Sequence, residues 1–235
     1  LGVLVGREAG YADVRNSFNL SFEHRRDRAA FVMNPYIYQQ PGEELEIGVR
    51  EAYLDLYFRD VDIRVGKQQI IWGKAEGVFV TDIVSPKDLR RFLLPDFDEI
   101  RIGVTAARFD YYAGSSTVEL VWVPVFVPNR QPGPDSLWAP SLPFPGQEVT
   151  FEPTVEPEGI LENSELFVKY SYLGSKLDFE LMGGYFWDDE PAPHVTSRTP
   201  PTVTVEPRHH RLAAAGGGFS AALPGMVLRG EGAYY

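Results

Sequence analysis

Between Arg50 and Phe58 apolar and polar side chains change places at nearly every residue. Ala52, Leu54, Leu56 and Phe58 fall on one side, and Glu51, Tyr53, Asp55 and Tyr57 on the other. A period of two marks an extended strand, whose successive side chains leave opposite faces. Arg59-Asp60 leaves room only for a tight connection before Val61 to Gln68 resumes the alternation, so the runs at about 45–58 and 61–72 predict an antiparallel hairpin. The same pattern predicts strands at about 11–24, 29–38, 100–112, 117–126, 165–172, 177–187 and 208–221, with a last one from Met226 onward. Pro35 weakens the second of these, because proline gives no donor to a ladder. One helix interrupts the series. Ser85-Pro86-Lys87-Asp88 offers an N-cap, a proline at the first helical position and an early carboxylate, which predicts a short helix from Pro86 to about Leu93, stopped by Pro95.

The connections alternate in length. Those at 25–28, 59–60, 113–116, 173–176 and 222–225 are short; those at 73–99, 127–163 and 188–207 are long and rich in proline, glycine and acids. One rim of the sheet would then carry tight turns and the other long loops, the asymmetry of an outer-membrane barrel. No run reaches the roughly 18 apolar residues of a membrane helix, whereas alternating segments of about 9–11 residues suit strands crossing a bilayer at a tilt. Aromatics gather at both strand ends: Phe22, Tyr57, Phe58, Tyr111, Tyr112, Tyr170 and Tyr172 by the short turns, Trp72, Trp122, Phe126, Tyr185 and Trp187 toward the long loops. Two belts match two interfaces. The expected fold is all-β, an antiparallel transmembrane β-barrel or the N-terminal part of one, with one short helix in a long loop. The competing fold is a soluble β-sandwich whose greasy face is an internal core.

Composition narrows the functions. A net charge of -11 argues against a nucleic-acid partner, and zero cysteines remove disulfides, thiolate metal sites and cysteine nucleophiles. No nucleophile elbow, phosphate loop or paired-histidine metal motif is present, so an enzyme and a cofactor are not expected. His24, His194, His209 and His210 read as solvated residues at loop ends. The chain starts at Leu1 and stops at Tyr234-Tyr235 inside strand pattern, so 1–235 is expected to be a single domain of a processed or partial chain.

If the greasy faces meet lipid, the wet faces line the interior. The candidate lining and constriction residues are Glu51, Asp55, Arg64, Trp72, Lys74, Asp88, Arg90, Arg91 and Arg101. The 73–99 excursion could fold inward as a constriction, and Arg90, Arg91 and Arg101 within and beside it would form a basic cluster favouring anions, unless neighbouring acids neutralise them. The expected function is porin-like passage of a solute across the outer membrane, with lipid as the surrounding partner. A non-conducting scaffold that shows its long loops to a periplasmic or envelope transport partner is the alternative, and a soluble binding module the second.

The runs Arg50-Glu51-Ala52-Tyr53, Gly66-Lys67-Gln68, Trp72-Gly73 and Asp82-Ile83-Val84-Ser85-Pro86-Lys87-Asp88-Leu89-Arg90 resemble the signature region of a Gram-negative outer-membrane family catalogued as domain of unknown function 1302. The resemblance implies a large monomeric β-barrel. Ser85 stands where the family pattern has asparagine, and Lys74 where it has an acid.

Overall fold

Backbone amides and carbonyls taken from water must find partners, and in a chain patterned with period two they find them between strands. The computed structural model describes residues 2–4, 10–13, 16–39, 45–73, 79–91, 97–133, 138, 148–159, 161–199 and 201–235. In chain order its strands are β1 (Gly2–Leu4), β2 (Gly10–Asp13), β3 (Asn16–Asn19), β4 (Phe22–Arg26), β5 (Ala29–Gln39), β6 (Glu46–Tyr57), β7 (Val61–Gln68), β8 (Val104–Ala113), β9 (Ser116–Val123), β10 (Glu148–Phe151), β11 (Glu165–Leu173), β12 (Leu177–Trp187), β13 (Ala192–Thr199), β14 (Thr202–Arg208), β15 (Arg211–Leu223) and β16 (Met226–Tyr234). Among the described residues one short α-helix, α1 (Phe97–Ile100), lies between β7 and β8, and a single 3-10 turn, Leu161–Asn163, precedes β11.

Eleven strands form one sheet in the order β16-β15-β12-β11-β9-β8-β7-β6-β5-β3, with β4 also paired to β5. Every ladder in it is antiparallel. The protein is therefore all-β and its large sheet wholly antiparallel, as the alternation predicts. Neighbours in the sheet are consecutive in sequence except at three steps: β5 to β3, since β3 and β4 both pair with β5, and β9 to β11 and β12 to β15, where the chain leaves the sheet to build a smaller one of order β10-β14-β13.

That smaller sheet corrects the reading of 188–207 as plain loop. Ala192–Thr199 and Thr202–Arg208 pair as a hairpin, and Glu148–Phe151 from the other long connection adds to it in parallel. The proline density hid a genuine alternation, Thr202-Val203-Thr204-Val205, whose two valines are buried.

The first predicted strand is broken into β2, β3 and β4, and Pro35 accounts for one break. Asn19 pairs with Tyr36 and Phe22 with Met33, so Leu20 and Ser21 face the stretch where Pro35 offers no N–H. Leu20 N still donates to the Pro35 carbonyl at 3.0 Å. On its other side β5 slips against β6, with Asn34 opposite Glu51 but Pro35 opposite Val49. Arg50 is the extra residue of that bulge.

The helix expected from Pro86 to Leu93 is not formed by the residues described there. Lys87 bridges Arg101 and Asp88 bridges Arg130, so this stretch is extended. Its donors are claimed by tertiary partners: Asp88 N by the Ile100 carbonyl at 2.6 Å and Leu89 N by the Arg130 carbonyl at 2.8 Å. Phe92 and Leu93 lie outside the described residues.

Candidate functional site: the inward face and the segment folded over it

Register places the greasy positions in continuous rows across the sheet. Phe31, Leu54, Val65, Trp122, Leu166 and Tyr185 follow one hydrogen-bonded row from β5 to β12, with Ala107 between Val65 and Trp122. The six large side chains of this row are exposed, from 41% at Trp122 to 58% at Leu166. One residue along, Asp55, Arg64, Arg108, Val121 and Phe167 make the next row on the opposite face, and there Asp55 is 6% and Phe167 1% exposed. The apolar row is exposed and the mixed face is covered.

The covered face has two halves. Toward the long connections it is apolar: Val104, Ala106, Val121, Val123, Phe167, Met182, Phe186 and Ala214 pack against Ile70, Trp72, Ile83 and Val84 of the segment between β7 and β8. That segment is folded inward, and the hydrophobic effect on its buried side chains holds it there. Trp72 is 2% exposed and meets Phe167 edge-on with ring centroids 6.0 Å apart. It therefore belongs to the interior and not to an aromatic belt.

Toward the short turns the same face is charged. Arg64 grips Asp55 through two bonds, Nε to Oδ1 at 2.6 Å and a terminal nitrogen to Oδ2 at 3.0 Å, while its guanidinium lies 3.8 Å from the centre of the Tyr53 ring. Arg108 pairs with Asp110 at 2.8 Å and Lys169 with Glu119 at 3.1 Å. Trp72 Nε1 donates to Glu119 Oε1 at 2.5 Å, which ties the inserted segment to the charged floor. Charges so placed are paired as burial requires.

Polar anchors fix the segment's path. The Ser85 hydroxyl, predicted as a helix cap, instead accepts from Ile70 N at 2.8 Å and donates to the Ile70 carbonyl at 3.0 Å. Arg101 Nε donates to Asp82 Oδ2 at 2.7 Å, and Gln69 Nε2 to the Arg101 carbonyl at 2.6 Å. Lys87 is buried, and this burial pushes its ammonium below the usual lysine range against the opposing pull of Asp82 and Asp189. At the rim, Arg90 pairs with Asp88 at 2.6 Å and Glu46 at 3.0 Å, and Arg130 joins Glu46 at 3.0 Å.

The sequence-predicted residues therefore divide. Asp55 and Arg64 come together on the floor; Glu51 faces inward and accepts from Gln69 N at 3.0 Å and Asn34 Nδ2 at 3.1 Å. Trp72 and Arg101 are buried in the segment, and Asp88 and Arg90 meet at the rim. Arg91 is half-buried, and its burial lowers its pKa while Glu99 opposes the shift. Lys74 lies outside the described residues. The free basic cluster of Arg90, Arg91 and Arg101 is not what forms, since Asp88, Glu46 and Asp82 take up Arg90 and Arg101. Sequence reading missed Asp82, Gln69, Glu46 and Arg130 as anchors, and with them Asn129, whose Oδ1 accepts from Lys87 N at 2.6 Å. Asp82 alone left a trace, a carboxylate inside the run Val80-Thr81-Asp82-Ile83-Val84.

Among the described residues no group of three or more His, Cys, Asp or Glu side chains is arranged to hold a metal ion. His209, expected in solvent, is buried with Nδ1 2.7 Å from the Asp188 carbonyl and its ring against Phe126. His210 is exposed and its Nε2 lies 2.7 Å from that of His194.

Fold and site together define an antiparallel all-β wall whose polar face is covered by a segment of its own chain. Residues 11–234 match the family described as Protein of unknown function (DUF1302), and the chain belongs to it. Neither the curated proteins nor the solved structures yield a match.

Proposed function

We propose that this chain is the wall of an outer-membrane β-barrel and that a solute passes along its polar face, with the inward-folded segment as the constriction. The observation that carries the reading is the outward row of Phe31, Leu54, Val65, Trp122, Leu166 and Tyr185, uninterrupted by charge and exposed on every strand from which a large side chain comes. Hydrocarbon around the wall would cover that surface, which water would not. The inserted segment supports the second half of the reading, because it is anchored to the charged floor through Trp72 and Glu119 and so narrows the space over that floor.

A second reading is favoured by the ion pairs themselves. Asp55–Arg64, Asp110–Arg108 and Glu119–Lys169 could serve only to fill and close the barrel, leaving a scaffold that displays the β10-β14-β13 sheet to an envelope partner. Full-length protein reconstituted in planar bilayers separates the two. Stepwise conductance is the expected result; folded, membrane-inserted protein without conductance would leave the scaffold, and protein that stays monomeric in buffer without detergent would remove both.

A further inference from the structure

We infer that the passage prefers cations, an inference that rests on the transport reading above and names the class of solute it would admit. The arginines that could have favoured anions are already compensated: Arg90 by Asp88 and Glu46, and Arg101 by Asp82 at 2.7 Å. On the floor, each of the bases Arg64, Arg108 and Lys169 is likewise held by one carboxylate, so these three pairs contribute little net field.

What remains on the inward rows of β6, β7 and β12 is acidic. Glu51 accepts from Gln69 N and Asn34 Nδ2, Asp62 from the Tyr112 hydroxyl at 3.0 Å, and Asp178 from Gly174 N at 3.0 Å. These donors are neutral. They satisfy the carboxylate oxygens without cancelling their charge, so the field of each reaches the space over the floor. Asp62 and Asp178 are both only half-buried and both stand beside short turns, which puts negative charge at the end of the passage opposite the inserted segment.

The long connection on the other rim has the same sign. Between residues 127 and 163 the sole basic side chain is Arg130, itself 3.0 Å from Glu46, whereas Glu148, Glu152, Glu156, Glu158 and Glu162 are all exposed. The long-connection approach would gather cations and repel anions before either reached the constriction, while on the other side Asp62 and Asp178 stand inside a rim whose turns also carry the exposed bases Arg25, Arg26, Arg28 and Lys176.

Reversal potentials of the full-length protein in planar bilayers under a potassium chloride gradient test this. Wild-type protein should reverse on the cation-preferring side at about 0.1 M salt and move toward neutrality near 1 M, where the screening length falls from about 10 Å to about 3 Å. The double variant Asp62→Asn, Asp178→Asn should still insert and conduct, with a lower potassium conductance and a potassium-to-chloride permeability ratio that drops toward one. Conductance with chloride preference in the wild type would overturn the inference and leave passage standing. A potassium preference that the double variant leaves unchanged would overturn the assignment to these carboxylates. Absence of conductance would overturn the transport reading, and this inference with it.

Discussion

Ser85 shows how one hydroxyl can decide the route of a chain. By sequence it is a helix cap, yet in the fold both lone pair and proton go to one residue, Ile70, fifteen positions earlier. Ile70 has just left the β7 ladder and is 1% exposed, so without Ser85 its N–H and carbonyl would be buried with no partner. Ser85→Ala should therefore cost roughly 1–3 kcal/mol, the penalty of stranding buried polar groups, and not the few tenths expected from a solvated serine. Chemical denaturation of the detergent-solubilised protein measures it. A loss near zero would show that the Ser85 pairing does not hold the segment. The capping signal misled because Ser-Pro-x-Asp fits local helix rules, while the partners that won, Ile70, Ile100 and Arg130, are remote in sequence and leave no periodic mark near residue 85.

At the scale of elements, the hairpin β6–β7 is the part of the fold most plainly written in the chain, and Gly66 is what lets its faces meet. Gly66 stands opposite Tyr53 with φ of 130°, and a Cβ placed on it would lie 2.4 Å from the Ala52 carbonyl oxygen. Both conditions exclude a side chain: the backbone region is one L-residues rarely adopt, and the neighbour is backbone that cannot step aside. Gly66→Ala should destabilise the protein by more than the roughly 0.4–1 kcal/mol by which the same exchange stabilises a compatible backbone, by forcing β6 and β7 apart at the strand that carries Asp55. Lower thermal midpoint together with lost Asp55–Arg64 pairing, read from Arg64→Ala having less effect in the Gly66→Ala background, is the expected pattern; additive effects would separate the two sites. Elsewhere, legibility followed burial geometry. Strands of the large sheet could be read because one face of each is uniformly apolar, as in Leu166, Val168 and Tyr185. The β13–β14 hairpin was not legible, because Pro191, Pro193, Pro200, Pro201 and Pro207 punctuate it and its buried pair, Val203 and Val205, is only two residues long. For the site, Asp55 and Arg64 could be found by strand pairing alone, whereas Asp82 with Arg101 joins two irregular stretches for which periodicity carries no information.

For the whole molecule, the two folds that period two allows place the same residues in opposite surroundings, and a single pair of positions can tell them apart. Leu120 and Glu119 are neighbours on β9. Leu120 is 42% exposed on the outward face, in register with Phe109 and Val168, while Glu119 is 8% exposed and bonded to Trp72 and Lys169. In a barrel wall set in lipid, Leu120→Arg puts a charge into hydrocarbon and should cost about 2–4 kcal/mol near the midplane, less toward either interface. In a sheet that faces water the same exchange touches nothing and should be worth no more than about 0.5 kcal/mol. Glu119→Gln supplies the contrast, since it keeps the shape but weakens the bonds to Trp72 and Lys169, and it should destabilise in either setting. Folding efficiency into lipid vesicles, followed by the mobility of unboiled protein on gels, gives both numbers in one assay. The expected outcome is a marked loss for Leu120→Arg that shrinks when the arginine is moved to Phe58, beside the turn at Arg59-Asp60, where an interface would let the side chain reach water. Equal tolerance of arginine at Leu120 and at Phe58 would mean that the outward rows do not meet lipid, and the membrane reading would fall with them.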